Sequence, residues 1–184
     1  MKKAFTMLEL IMVIVIIGIL AAVIMPRTGS NKTAEAAVKL ISDIRYTQHL
    51  AMIDDKYGEN TAGVVDWYKK IWRIRFDTND SYSIVSDRFA KDPITREDMT
   101  GIDLHALYGV NLSATGGCIQ AVANGIVGFD HIGRPIVDVP SLTSSYSGAL
   151  VSKLMNTDCT VTIQGDGPDV VLTLRPETGY VSMQ

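Results

Sequence analysis

The stretch from Phe5 to Met25 limits this chain more than any other part of its 184 residues. Only Thr6 and Glu9 interrupt it, and Leu10 to Met25 holds no polar side chain. As a helix rising about 1.5 Å per residue it would run roughly 31 Å, close to a bilayer core of about 30 Å. A cleaved secretory signal fits poorly, because Met25-Pro26-Arg27 follows the block where a small-x-small cleavage site should stand. A plain membrane anchor leaves Glu9 unexplained. A carboxylate in an apolar helix costs about 2.5–3.5 kcal/mol on insertion scales, and no side chain of the segment offers it a partner.

The rest of the chain reads as an ordinary folded domain. An apolar content of 47% with 20% charged residues excludes a disordered or collagen-like polymer. Seventeen Lys and Arg against twenty Asp and Glu leave a net charge of −3, too balanced for wholesale nucleic-acid binding. Two cysteines, Cys118 and Cys159, are too few for a disulfide-framed miniature fold, and no histidine lies near enough in sequence to complete a zinc site.

Pro26 and the weak helix formers Thr28-Gly29-Ser30-Asn31 predict a kink or short break. Helical spacing then resumes: Ala34, Ala37, Val38, Ile41, Ile44, Ala51 and Met52 form a stripe, with Glu35, Lys39, Asp43 and Arg45 off it and Gln48 interrupting it. The helix should stop by Tyr57-Gly58. Beyond residue 60 the period becomes alternating. Trp72, Ile74 and Phe76 take one face of a strand, and Arg73 and Arg75 take the other. Short apolar runs recur at Tyr82–Val85, Cys118–Val122, Ile126–Phe129, Thr160–Gln164, Val170–Arg175 and Tyr180–Met183. Turn-rich stretches such as Ala114-Thr115-Gly116-Gly117 and Gln164-Gly165-Asp166-Gly167-Pro168 separate them, and the Ser-rich residues from Val139 to Ser152 read as a loop. The expected fold class is α+β: a long N-terminal helix, half transmembrane and half amphipathic, packed on an antiparallel β-sheet domain.

The segment Lys2-Lys3-Ala4-Phe5-Thr6-Met7-Leu8-Glu9-Leu10, followed by the apolar run with Gly18 and closed by Pro26, resembles the leader and first helix of type IV pilins and type II secretion pseudopilins. The resemblance implies cleavage by a prepilin peptidase between Ala4 and Phe5, then N-methylation of Phe5. Ala4 stands where the family usually has Gly. It also implies that Glu9 pairs with the Phe5 amine of an adjacent subunit during assembly, which supplies the missing cation. Leu40–Met52, Trp72–Phe76, Phe129-Asp130-His131-Ile132-Gly133-Arg134-Pro135 and Leu174-Arg175-Pro176-Glu177-Thr178-Gly179-Tyr180-Val181 are similar to segments of H-class minor pseudopilins and related minor pilins. The implied organisation is a leader at 1–4, an assembly and transmembrane helix at 5–26, its amphipathic second half at 27–58, and a periplasmic β-rich domain at 59–184. The implied location is the inner membrane with a cytoplasmic N-terminus, then a filament, and the expected partners are the prepilin peptidase and other pilin or pseudopilin subunits. In that oxidising compartment a Cys118–Cys159 disulfide is expected, since no other cysteine competes.

No catalytic constellation is visible. His49, His105 and His131 lack metal-ligand spacing, and neither a nucleophile elbow nor a phosphate-binding Gly-rich loop is present. Asp130-His131 reads as a polar turn. No enzyme activity, cofactor or metal is expected. The competing function is that of a type IV pilus minor pilin that contacts DNA during uptake. Its candidate contacts are Lys69, Lys70, Arg73 and Arg75, cations in a stretch that also carries the aromatics Trp67 and Tyr68. Loss of Lys2 and Lys3 with the leader would move the net charge from −3 to −5, so nucleic acid is not the expected partner.

Overall fold

The computed structural model of the protein describes residues 6–24, 31–56, 60–61, 64–65, 67–77, 80–116, 126–137 and 154–184. The chain divides into two units, Met1–Asn31 and Lys32–Gln184. The expected single long helix with a transmembrane half is not seen among the described residues, which hold two helices in this part of the chain. Helix α1 spans Met7–Ile24 and α2 spans Lys32–Ile53. Among the described residues no helix is long and apolar enough to cross a membrane. Helix α1 carries Glu9 in its first turn, and α2 carries Glu35, Lys39, Asp43 and Arg45 along its length. Residues 25–30, with Pro26 and the weak helix formers after it, lie outside the described residues. The α+β mixture itself is present.

In the second unit α2 ends at Ile53, before Tyr57-Gly58 by which it was expected to stop, and Asp54 N still donates to Leu50 O. Its buried face also differs from the expected stripe. Thr33, Ala36, Ala37, Leu40, Asp43, Ile44, Thr47 and Ala51 face inward, whereas Val38 and Met52 are exposed. The stripe is rotated because Asp43 and Thr47 find polar partners inside, so polarity does not force them outward. Thr47 Oγ1 donates back to Asp43 O at 2.7 Å, and Asp43 meets a tyrosine described below.

The strands are β1 Asn60–Thr61, β2 Val64–Val65, β3 Arg73–Phe76, β4 Ser81–Val85, β5 Ile102–Asp103, β6 Asn111–Gly116, β7 Ile126–Phe129, β8 Pro135–Val137, β9 Cys159–Gln164, β10 Val170–Leu174 and β11 Val181–Met183. They form a small β1-β2 hairpin, a five-stranded sheet ordered β5-β4-β3-β7-β8 and a four-stranded sheet ordered β11-β10-β9-β6. Every pairing is antiparallel. Helix α2 packs on β3 and β7 of one sheet and on β9, β10 and β11 of the other. One core therefore serves both sheets: Leu40 and Ile44 of α2 join Ile74, Ile84 and Phe129 on one side and Val161, Ile163 and Leu172 on the other. Strand β9 shows the alternation that seats it there, with Cys159, Val161 and Ile163 buried and the threonines between them half-buried.

Two elements depart from the sequence reading. Residues 114–116, expected as a turn, belong to β6, which pairs with β9 over six residues from Asn111↔Gln164 to Gly116↔Cys159. Ser113 and Thr115 carry little apolar signal, so the neighbouring strand decides the conformation. Helix α3, Leu104–Tyr108, is a five-residue turn capped by Asp103, whose side chain accepts from Ala106 N at 2.8 Å, and stopped by Gly109 at φ +69°. The expected strand at 118–122 and the loop at 139–152 lie outside the described residues.

Candidate functional site

Ala4 and Phe5, the expected cleavage and methylation site, lie outside the described residues. Glu9 lies in the first turn of α1, where its backbone N donates to Thr6 O at 3.1 Å. A carboxylate there is favoured by the partial positive charge of the helix N-terminus. The remainder of α1 is apolar all round. From Met7 to Leu20 every large hydrophobic side chain is exposed, the least being Val13 at 47%. A helix polar on no face has no solvated side to turn toward water.

The basic strand is built differently from the expectation. Arg73 is 5% exposed, so it is no surface cation. Its Nη2 donates to Lys69 O at 2.6 Å and toward Ser86 O at 3.4 Å. Burial first, and the nearby Arg75 charge second, pull its guanidinium pKa below the usual value. Lys69 and Lys70 are half-buried in and just after the 3-10 turn Trp67–Lys69. Their carbonyls hold the domain together: Lys69 O accepts from Arg73, and Lys70 O accepts from Ser86 Oγ. Arg75 is partly exposed and lies 3.7 Å from Asp77. The structure thus brings Lys69, Lys70 and Arg73 together around backbone carbonyls, and leaves Arg75 as the outer cation of β3.

Gln48, which only interrupts the apolar stripe in the sequence, ties two turns to α2. Its Nε2 donates to Gly133 O at 2.8 Å and Thr178 O at 2.9 Å. Gly179 is required at this crossing. Its φ is +65°, and a Cβ there would stand 2.6 Å from Gly133 O and 2.7 Å from Gln48 Nε2. Asp130 organises the first turn: Oδ1 accepts from Ile132 N and Arg134 N, and Oδ2 accepts from Arg134 Nε at 2.7 Å. His131 is exposed beside it, while His49 and His105 lie on α2 and α3.

Next to this crossing, at the end of α2, lies a cavity of about 90 Å³. Trp67, Ile71, Trp72, Phe129, Ile136 and Leu154 give it an apolar lining. Charged groups stand at its edge. Asp54 accepts from Trp72 Nε1 at 3.0 Å, pairs with Lys56 at 3.0 Å and with Arg88 at 3.3 Å. Desolvation raises the Asp54 pKa, but the Lys56 and Trp72 hydrogen bonds and the Lys56 and Arg88 charges outweigh it and hold the carboxyl below its usual range. Arg88 also lies over the Trp72 ring at 5.8 Å. Nothing in the sequence pattern marks these residues as neighbours, since they come from the residues just after α2, the 3-10 turn and the approach to β3, the turn after β4, the end of β7, β8 and the stretch before β9.

Cys159 is buried in β9 and disulfide-bonded, and the one other cysteine of the chain, Cys118, lies outside the described residues. Among the described residues no group of three or more His, Cys, Asp or Glu could hold a metal ion. Comparison of the chain with protein-family profiles, with characterised proteins and with solved structures gives no match.

Proposed function

We propose that the chain is a minor pilin-like structural subunit of a type II secretion pseudopilus, processed by a prepilin peptidase between Ala4 and Phe5 at the inner membrane. Its folded unit, Lys32–Gln184, would then be displayed on the periplasmic side. The observation that carries the reading is α1: a helix with apolar side chains exposed from Met7 to Leu20 and one carboxylate, Glu9, in its first turn. Exposed apolar area of this kind favours association at roughly 25 cal/mol per Å² buried, and packing among equivalent helices removes it from water. Glu9 then needs a cation in the same layer. The Phe5 amine of a neighbouring subunit, released by cleavage, is that cation in the proposed arrangement. No observation favours the DNA-contacting alternative, because Arg73 is buried.

Glu9→Leu tests the reading. The substituted chain should be cleaved, keep its folded unit and fail to enter filaments or support secretion. Normal incorporation of Glu9→Leu would remove the assembly role. Intact-mass measurement after co-expression with a prepilin peptidase should show the loss of four residues and a methylated Phe5. An uncleaved Met1 terminus would overturn the family assignment.

A further inference from the structure

We propose that the cavity at the end of α2 is a binding site for an apolar carboxylate, a compound or chain end carrying a small branched hydrocarbon group next to a carboxylate. The apolar part follows from size and lining. A cavity of roughly 150 Å³ lined by Leu, Ile and Phe stays dry and admits benzene, so the smaller volume of about 90 Å³ here suits a group such as isobutyl. Two tryptophans, a phenylalanine and three aliphatic side chains line it. The carboxylate part follows from Arg134. Its Nε is committed to Asp130 Oδ2 at 2.7 Å, and no hydrogen bond among the described residues takes its Nη1 or Nη2. Asp130 is itself held by Ile132 N and Arg134 N, so the guanidinium is oriented before any ligand arrives. A planar pair of donors fixed at the edge of an apolar cavity matches the two oxygens of a carboxylate. Among the lining residues three acids, Asp54, Asp55 and Asp130, face two cations, Lys56 and Arg134, so net charge does not draw an anion in. Asp130 is paired with Arg134, and Asp54 with Lys56 and with Arg88 outside the lining, which leaves the guanidinium fork as the carboxylate-selective element.

Two sources share this chemistry: a free branched-chain acid, and the carboxyl terminus of a polypeptide ending in an aliphatic residue. Isothermal titration of the full chain in mild detergent with 4-methylvalerate, 4-methylvaleramide, isopentylamine and a short peptide ending in Leu, free or amidated, separates them. Heat from partition into detergent is subtracted with an identical protein-free titration. The free acid or the free-carboxylate peptide should bind at least tenfold more tightly than its amide. Arg134→Gln should weaken that binding at least tenfold while changing amide binding less than twofold. Leu154→Phe, which fills the cavity and spares Arg134, should abolish both, and so keeps the test decisive if Arg134→Gln fails to fold. Binding of the acid without the peptide assigns a small-molecule ligand; binding of the peptide alone assigns a chain terminus. Equal binding of acid and amide, tighter binding of the amine, or no binding of either carboxylate at millimolar concentration overturns the proposal.

Discussion

Tyr82 reaches from β4 across the core to donate its hydroxyl hydrogen to Asp43 Oδ2 of α2 at 2.5 Å. Lys39 pairs with the same carboxylate at 2.9 Å from one turn away. A buried carboxylate therefore lies in the contact between helix and sheet, neutralised by a partly exposed lysine and bonded by a fully buried tyrosine. Such a group is tolerable only because both partners are present.

Burial, then the charge and hydrogen bond of Asp43, push the Tyr82 hydroxyl pKa well above its ordinary value. The folded chain thus holds this proton when the unfolded chain, titrating near pH 10, has lost it. The contribution is whole below about pH 10 and falls by about 1.4 kcal/mol per pH unit above it. Urea unfolding between pH 8 and 11 should show this alkaline loss. Tyr82→Phe should cost about 1.5–3 kcal/mol at pH 8 and flatten the alkaline slope. An unchanged slope in Tyr82→Phe would assign the titration to another group.

The crossing of two turns at Gln48 makes a comparison of glycines informative. Gly179 and Gly101 both have positive φ, but a Cβ meets nothing within 4 Å at Gly101. Gly101→Ala should lose only the left-handed backbone cost of about 1–2 kcal/mol. Gly179→Ala should lose about 1–3 kcal/mol more, because the new methyl meets the Gly133 carbonyl. Gln48→Glu, which keeps the shape and removes the donor, should cost about 1–2 kcal/mol. Thermal melts of the three variants check the order.

Arg73 and Arg75 alternate in sequence and differ in role. Arg73→Met preserves the stem and leaves the Lys69 and Ser86 carbonyls without their donor, so it should destabilise the fold by about 1–3 kcal/mol. Arg75→Met should change stability by no more than about 0.5 kcal/mol. Denaturation midpoints at constant m-value separate the two. Equal effects would contradict the roles assigned here.

Thiol counting addresses the cysteines. Denatured, unreduced chain recovered from an oxidising compartment should show no reactive thiol, because Cys159 is bonded. Pairing with Cys118 closes a loop of about 40 residues, which stabilises by about 4 kcal/mol in the chain-entropy model. Cys118→Ser should therefore lower the unfolding free energy and expose one thiol at Cys159 on denaturation. Two reactive thiols in the unsubstituted chain would exclude the bridge.

How much of this was legible in the chain depended on the range of the interaction. The apolar run of α1, the lone Glu9 within it, the helical spacing of α2 and most strand positions are local patterns, set by side-chain period and by the conformational limits of Pro and Gly. The sequence alone carries those. The inward turn of Asp43, the burial of Arg73 and the strand conformation of residues 111–116 were decided by partners far along the chain: Tyr82 lies 39 residues from Asp43, and Ser86 lies 13 from Arg73. A polar residue reads as exposed until a donor or acceptor is brought to it, and only the tertiary structure does that. The same holds for the cavity. Trp67, Trp72, Phe129 and Arg134 come from separate elements, and their meeting follows from how α2 and the sheet pack.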